Sequence, residues 1–308
     1  MRIAIIGAGM AGLSCAVQLR EAGHAVSVFD KGRGPGGRMA TRRMEHEGET
    51  FAFDHGAQYF TAREIAFQAR VRAWEAEGIV AAWPAAKEGA WVGTPSMNAP
   101  IHAMAEEAGA IFGTRIHALE RVGHQWRLAG ASDEEMFDAV VVAVPAEQVA
   151  PLLASHAPDL AEDARDVTSE PCWTAMVAFE GRVDAPDTLS EAGAIGWAAR
   201  NSAKPGRDAE QECWVIQANP RWSRAQLERE AENVGEELLA HFARAVGDLP
   251  AVLFRTAHRW RYAMCEKNDA GALWDADLRI GVCGDWLSGP RVENAFLSGL
   301  ELARLIEG

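Results

Sequence analysis

Long hydrophobic runs are missing from this chain. No stretch approaches the roughly 20 consecutive apolar residues of a membrane-spanning helix, which excludes an integral helical membrane protein. No basic segment followed by an apolar run opens the sequence, and a β-strand pattern begins at once, so a cytoplasmic protein is expected. The five cysteines, Cys15, Cys172, Cys213, Cys265 and Cys283, form no C-x-x-C pair. This excludes a disulfide framework, a thiolate zinc site and a redox-active disulfide motif. The nine histidines show no ligand spacing, and no metal is expected. Positive charge is in deficit. The net charge of −14 has the wrong sign for nucleic acid or an anionic membrane as main partner. What is present, 308 residues with 48% hydrophobic content, suffices for one large or two intimate globular domains.

The richest signal lies at the start. Ile3 to Ile6 form a short apolar strand, followed by Gly7, Gly9 and Gly12 at G-x-G-x-x-G spacing and a helix from Leu13 to Arg20. Gly7 permits the tight turn, Gly9 lets backbone approach a pyrophosphate, and Gly12 lets the helix sit close to its strand. The helix N-terminus around Ala11 offers free N–H groups to phosphate. A second strand, Ala25 to Phe29, finishes on Asp30, an acid placed to accept ribose hydroxyls. Together these features predict a dinucleotide site. The loop Lys31-Gly-Arg33-Gly-Pro-Gly36-Gly37-Arg38-Met39 then supplies backbone N–H groups and guanidinium forks suited to a long anionic ligand. A hairpin follows, Ala40–Glu45 and Thr50–Phe53, turning at His46-Glu-Gly48.

Asp30 with Arg33-x-x-Gly36-Gly37-Arg38 resembles the acid-to-G-G-R signature of FAD-dependent amine oxidases. Gly284-Asp285, followed by Gly289-Pro-Arg-Val292-Glu293-Asn294, resembles their second FAD motif. Asp54-His-Gly56-Ala57-Gln58-Tyr59-Phe60 and His258-Arg259-Trp260-Arg-Tyr262 look like renalase, particularly its bacterial branch. The resemblance runs from about Ile3 to Ile306. It implies an α/β fold in which a Rossmann-like, p-hydroxybenzoate-hydroxylase-like FAD domain (residues 1–61, 92–149 and 271–308) interleaves with an antiparallel-sheet substrate domain (62–91 and 150–270). It also implies non-covalent FAD, contacted by backbone near Ile116 and by Gly284, Asp285 and the closing helix at Val292, Glu293 and Asn294. The implied reaction oxidises 2- and 6-dihydro isomers of NAD(P)H to NAD(P)+, with O2 reduced to H2O2.

The local patterns predict helices over Ala62–Glu77, Pro95–Ala108 and Val292–Ile306, and a long helix Arg224–Val246 opened by a Ser223-x-x-Gln226 capping box. In the closing helix, Gly299 and Ala303 permit close packing on the sheet. Strands are predicted at Ala110–Leu128 (turning at Gly123), Phe137–Val144, Trp173–Phe179, Ala194–Ala198, Trp214–Ala218 and Val252–Trp260. Tyr59, Trp197, His258 and Trp260 are candidate walls for a flat ring. The Gln58 amide is a candidate contact to flavin or substrate. Arg200, Lys204 and Arg207 are candidate attractors of substrate phosphates. No second G-x-G-x-x-G is present for a separate NAD(P)H domain, so O2 is the simplest acceptor. An amine oxidase or desaturase, and a non-enzymatic FAD-fold binder, are the competing readings.

Overall fold

The computed structural model describes residues 1–132 and 134–308. The chain opens with β1 (Arg2–Ile6), α1 (Met10–Glu21) and β2 (Ala25–Phe29). Then follow β3 (Thr41–His46), β4 (Glu49–Asp54), β5 (Phe60–Thr61), α2 (Ile65–Ala76), β6 (Val80–Ala82), β7 (Ala90–Gly93) and α3 (Ala99–Ala108). The middle holds β8 (Ala118–Val122), β9 (Gln125–Ala129), β10 (Ala139–Val142), α4 (Ala146–Leu153) and α5 (Pro158–Arg165). Next are β11 (Ser169–Phe179), β12 (Thr188–Ala192), β13 (Ile195–Arg200), β14 (Glu212–Ala218), α6 (Pro220–Ala225), α7 (Ala231–Val246) and β15 (Val252–Cys265). The chain closes with β16 (Ala272–Asp275), β17 (Ile280–Cys283) and α8 (Val292–Glu307).

One sheet has the order β16-β17-β10-β1-β2, parallel except for β16 at its edge. Its inner strands are apolar throughout because both faces are covered. Ile3, Ile5, Ala139 and Val141 pack on the side of α1, α3 and α8, and Ala4, Ile6, Val140 and Val142 on the side of α4, α5 and the β8–β9 hairpin. Phe67, Val71 and Trp74 of α2 belong to the first of these cores. Residues 62–91, expected with the substrate domain, thus share apolar packing with the Rossmann unit.

The other large sheet, order β12-β13-β14-β11-β15, is antiparallel. One face buries Trp173, Val177, Trp214 and Ile216 against Val234, Leu238 and Phe242 of α7. The opposite face packs Met176, Ala178 and Val215 on Phe51 and Phe53 of the β3–β4 hairpin. On that face, direct cross-strand pairing aligns Trp197, Gln217, Thr174 and His258 in one row. The row looks toward the Rossmann unit, where Trp197 meets Tyr59.

The structure revises several local expectations. The helix expected from Pro95 starts at Ala99, with Pro100 in its first turn and Gly109 closing it in the left-handed region at φ +61°. The long helix expected from Arg224 is two helices. Asn219, not Ser223, caps the first, accepting from the Trp222 N–H at 2.9 Å. Ser223 is buried, and its Oγ accepts from the Trp173 N–H. The break follows because the Gln226 and Leu227 carbonyls turn outward to Trp173 Nε1 and Arg259. Gly299 packs on α1 instead of the sheet: a methyl group there would lie 2.1 Å from Ala11 O.

Candidate active site

At the end of β1 the chain turns at Gly7, whose φ of +109° suits glycine alone. A methyl group on Gly12 would lie 2.0 Å from Gly7 O, so α1 can approach the turn only with glycine there. A methyl group on Gly9 would meet nothing within 4 Å. Backbone, not side chain, therefore forms the wall at Gly9. No side chain caps α1, and its first intrahelical bond is Leu13 N–H to Gly9 O. The N–H groups of Met10 and Ala11 remain for a ligand. Asp30 accepts from Ala8 N–H at 2.8 Å and from Gly32 N–H at 2.6 Å, fixing the carboxylate beside the turn.

A cavity of about 1150 Å3 runs from this turn to the antiparallel sheet. Gly7, Gly9, Ala11, Asp30, Lys31, Gly37, Arg38, Met39 and Ile116 line it beside the Rossmann strands, in the crevice beyond their carboxyl ends. Gly56, Ala57, Gln58, Tyr59, Trp197 and Trp260 line it beside the other sheet, and Gly284, Asp285, Val292 and Glu293 between. Burial and the nearby Arg115 lower the Lys31 ammonium pKa against the pull of Asp30. Arg38 Nη2 donates to Asp285 Oδ1 at 2.5 Å, which joins the two glycine-bearing motifs across the fold. Burial opposes the Arg38 charge, but Asp285 outweighs it and raises the guanidinium pKa. The groove is large enough for a dinucleotide, a helix N-terminus lies open, and the glycine wall admits a phosphate. These residues fit FAD.

Some predicted contacts lie elsewhere. Gly12, Arg33 and Asn294 are not on the cavity wall, and Asn294 Nδ2 instead donates to the Ser288 and Gly289 carbonyls, at 2.9 and 3.0 Å. Glu293 accepts from the Arg63 and Glu64 N–H groups, at 2.5 and 2.7 Å, and so supports the start of α2. No side chain caps α8.

His258 is corrected from wall to support. It lies behind Trp260 (ring centroids 4.5 Å apart), and both pack on His55. Trp260 Nε1 donates to His55 O at 2.8 Å. Burial and the neighbouring His258 bring the His55 pKa down to about 4; burial and Arg42 lower that of His258. Both shifts favour the neutral imidazoles, which meet edge to face with centroids 4.9 Å apart.

Gln58 is on the wall, but its amide is engaged. Nε2 donates to the Asp54 and Gly56 carbonyls, at 2.5 and 3.0 Å, and Oε1 accepts from Lys204 at 3.1 Å. The cations Arg200, Lys204 and Arg207 do not attract substrate phosphate: all are closed off and paired. Arg200 binds Asp187, Glu212 and the Val183 and Ala185 carbonyls. Lys204 and Arg207 both bind Asp54. Burial would raise the Asp54 carboxyl, yet the two cations hold it well below the usual carboxylate range, while burial pushes Lys204 down to about 8.

Gln217 was missed. It lines the cavity, and its Nε2 donates to Gly56 O at 2.7 Å. Its signal was available: it is the one polar side chain inside the otherwise apolar run Cys213–Ala218. Cys172 also lines the cavity, with burial pushing its thiol up to about 11.

The profile of a NAD(P)-binding Rossmann-like domain matches residues 5–73, and that of flavin containing amine oxidoreductases matches residues 84–306. Over 47 residues, 15% of this chain and 9% of the relative, the chain is 51% identical to an L-amino acid oxidase of Bothrops pictus. Over 56 residues it is 43% identical to a 4,4'-diapophytoene desaturase (4,4'-diaponeurosporene-forming) of Staphylococcus aureus (strain Newman), covering 18% of this chain and 10% of that one. These matches span about a tenth of the curated relatives' length. A candidate protoporphyrinogen oxidase from Exiguobacterium sp. 255-15 shares the fold with a TM-score of 0.77 at 12% identity, covering 99% of this chain and 98% of that one. Cyclohexylamine oxidase from Brevibacterium oxydans IH-35A does so at 0.73 and 11%, with the same coverage. A putrescine oxidase follows at 0.67 and 14%, covering 100% and 99%. With its profile matched over most of its length, the chain belongs to the flavin containing amine oxidoreductase family.

Proposed function

We propose that this chain is a FAD-dependent oxidase of renalase type, acting on the 2- and 6-dihydro isomers of NAD(P)H. The dihydro ring, one O2 and one proton give the nicotinamide cation and H2O2. Gly7, Gly9 and Ala11 would hold the cofactor's pyrophosphate through backbone, Asp30 its ribose, and Gly37, Arg38, Gly284 and Asp285 the span toward the ring. The N-terminus of α8 would face the ring, where its dipole stabilises developing negative charge. FAD supplies the two-electron acceptor when bound.

The protein's own part is to hold a flat ring and exclude water. Tyr59 and Trp197, centroids 5.6 Å apart, offer tilted aromatic faces, and Trp260 is fixed by its bond to His55. The carrying observation is the state of the carboxylates. Asp30, Glu147, Asp285 and Glu293 line the cavity, and each already accepts from a protein donor. Glu147 keeps one buried oxygen, Oε2, without a partner, its other oxygen being held by Ser169 N–H; no carboxylate lining the cavity is wholly unengaged among the described residues.

The test is anaerobic mixing of the FAD-loaded protein with 6-dihydro-NAD while following flavin absorbance. Bleaching, with recovery and peroxide on admitting air, supports the reading; no bleaching by either isomer overturns it. The same aromatic pair, on a fold shared with cyclohexylamine and putrescine oxidases, favours a second reading, oxidation of a neutral amine. Bleaching by amines alone would establish that reading.

A further inference from the structure

Arg63, Lys87 and Arg291 line the same cavity as Tyr59 and Trp197, and all three are exposed. Among the described residues none has a carboxylate within 4.0 Å. Of the other cavity cations, Arg38 is paired with Asp285 and Arg261 with Glu228, while Lys31 and Arg115, also without a carboxylate within 4.0 Å, belong to the Asp30 side of the cavity, where Thr114 N–H donates to Asp30 O. The three come from separate elements that the fold ties together. Arg63 lies between β5 and α2, Lys87 in the loop before β7, and Arg291 directly before α8. β5 pairs with β7, Phe60 opposite Trp91 and Thr61 opposite Ala90, while Ala90 N–H donates to Lys87 O at 3.1 Å. Glu293, two residues past Arg291, accepts from Arg63 N–H. Glu64 and Glu88, the acidic neighbours in sequence, do not line the cavity.

Arg63, Lys87 and Arg291 thus line one cavity on the side tied together by β5, β7 and the start of α8, without a carboxylate partner, in a chain of net charge −14. Like charges held together repel one another, and the opening disfavours a cationic amine while drawing in an anion. We propose that Arg63, Lys87 and Arg291 form an anion clasp at the mouth of the substrate cavity, binding a diphosphate carried by the substrate outside the Tyr59–Trp197 pair. The assignment of that diphosphate to a dinucleotide rests on the oxidase reading above; the affinity for diphosphate does not.

The test is calorimetric titration of the FAD-loaded protein with ADP-ribose and with inorganic pyrophosphate, with flavin retention checked by absorbance. The comparison is the triple variant Arg63→Gln, Lys87→Gln, Arg291→Gln, with Arg72→Gln, an exposed cation off the cavity, as control. The expected result is binding by the wild type that weakens with salt, at least about tenfold weaker in the triple variant and unchanged in the control. Tighter binding of ADP-ribose than of pyrophosphate marks a dinucleotide source; equal binding marks free diphosphate. No binding of either probe by the wild type, or equal binding by the triple variant, overturns the clasp. Oxidation of dihydro-NAD with KM unchanged in the triple variant overturns the clasp and keeps the oxidase reading. Loss of ADP-ribose binding in the variant, with no dihydro isomer oxidised by the wild type, keeps the clasp and overturns that reading.

Discussion

Lys204 Nζ stands 3.3 Å from Asp54 Oδ2, with neither side chain open to solvent, and Arg207 reaches the same oxygen at 2.6 Å. The trio ties the end of β4 to the turn after β13, and through Lys204 it also holds the Gln58 amide on the cavity wall. Such a group acts by position, because each charge is spent on another.

Removing the shared carboxylate should therefore cost more than removing one cation. Asp54→Asn strands two buried charges and should lower stability by about 3–5 kcal/mol; Lys204→Met leaves the Asp54–Arg207 pair and should cost less. Urea unfolding of the FAD-loaded protein measures both. If Lys204→Met leaves stability unchanged but raises KM for a dihydro isomer tenfold, Lys204 contacts substrate and the structural assignment fails.

The glycines of the first turn should separate binding from folding. A side chain at Gly9 meets only open space, while one at Gly12 runs into Gly7 O. Gly9→Val should leave the melting temperature of the apoprotein nearly unchanged and abolish flavin retention. Gly12→Ala should destabilise the apoprotein itself, by about 1–3 kcal/mol. The readouts are apoprotein melting and flavin absorbance per chain; a Gly9→Val protein that stays yellow would remove the backbone from the phosphate site.

The first βαβ unit was legible because its period, turn glycines and terminal acid are all local. The hairpin over residues 41–54 was legible for the same reason, with Glu47 and Gly48 at positive φ as its turn demands. Charge was misleading. Arg200, Lys204 and Arg207 cluster in sequence, yet their partners Asp187, Glu212 and Asp54 come from elsewhere in the chain, and sequence shows cations but not their counter-ions. Arg63, Lys87 and Arg291 are scattered in sequence and come to line one cavity only through the pairing of β5 with β7 and the placing of α8. His258 shows a third limit: alternation assigns a residue to a sheet face but not to the cavity itself, because Trp260 and His55 intervene.

His55 should make the protein acid-sensitive. Its folded pKa, about 4, lies below the ordinary 6.5, so the unfolded chain binds its proton first. Stability contributed by neutral His55 is complete above pH 6.5 and is lost as pH falls toward 4, by up to about 3 kcal/mol. His258, lowered in the same direction, adds to the loss. Unfolding followed at pH 7 and pH 4.5 should show a smaller loss in His55→Gln than in the wild type; equal losses would place the acid sensitivity elsewhere.

Tyr59 and Trp197 should contribute through their rings, not their polar atoms. The Tyr59 hydroxyl has no hydrogen-bond partner among the described residues, and it belongs to the half-buried pair facing the cavity. Tyr59→Phe should therefore keep kcat/KM within about twofold, while Trp197→Ala should lower it by about 10- to 100-fold through loss of a rigid aromatic face. Trp197 stands opposite Gln217, which itself holds Gly56 O, so the comparison needs a control for the sheet. Melting temperatures and flavin content supply it, measured beside oxygen uptake with a dihydro isomer. A Tyr59→Phe enzyme more than tenfold slower, at unchanged flavin content, would mean that the hydroxyl, and not the ring, meets the substrate.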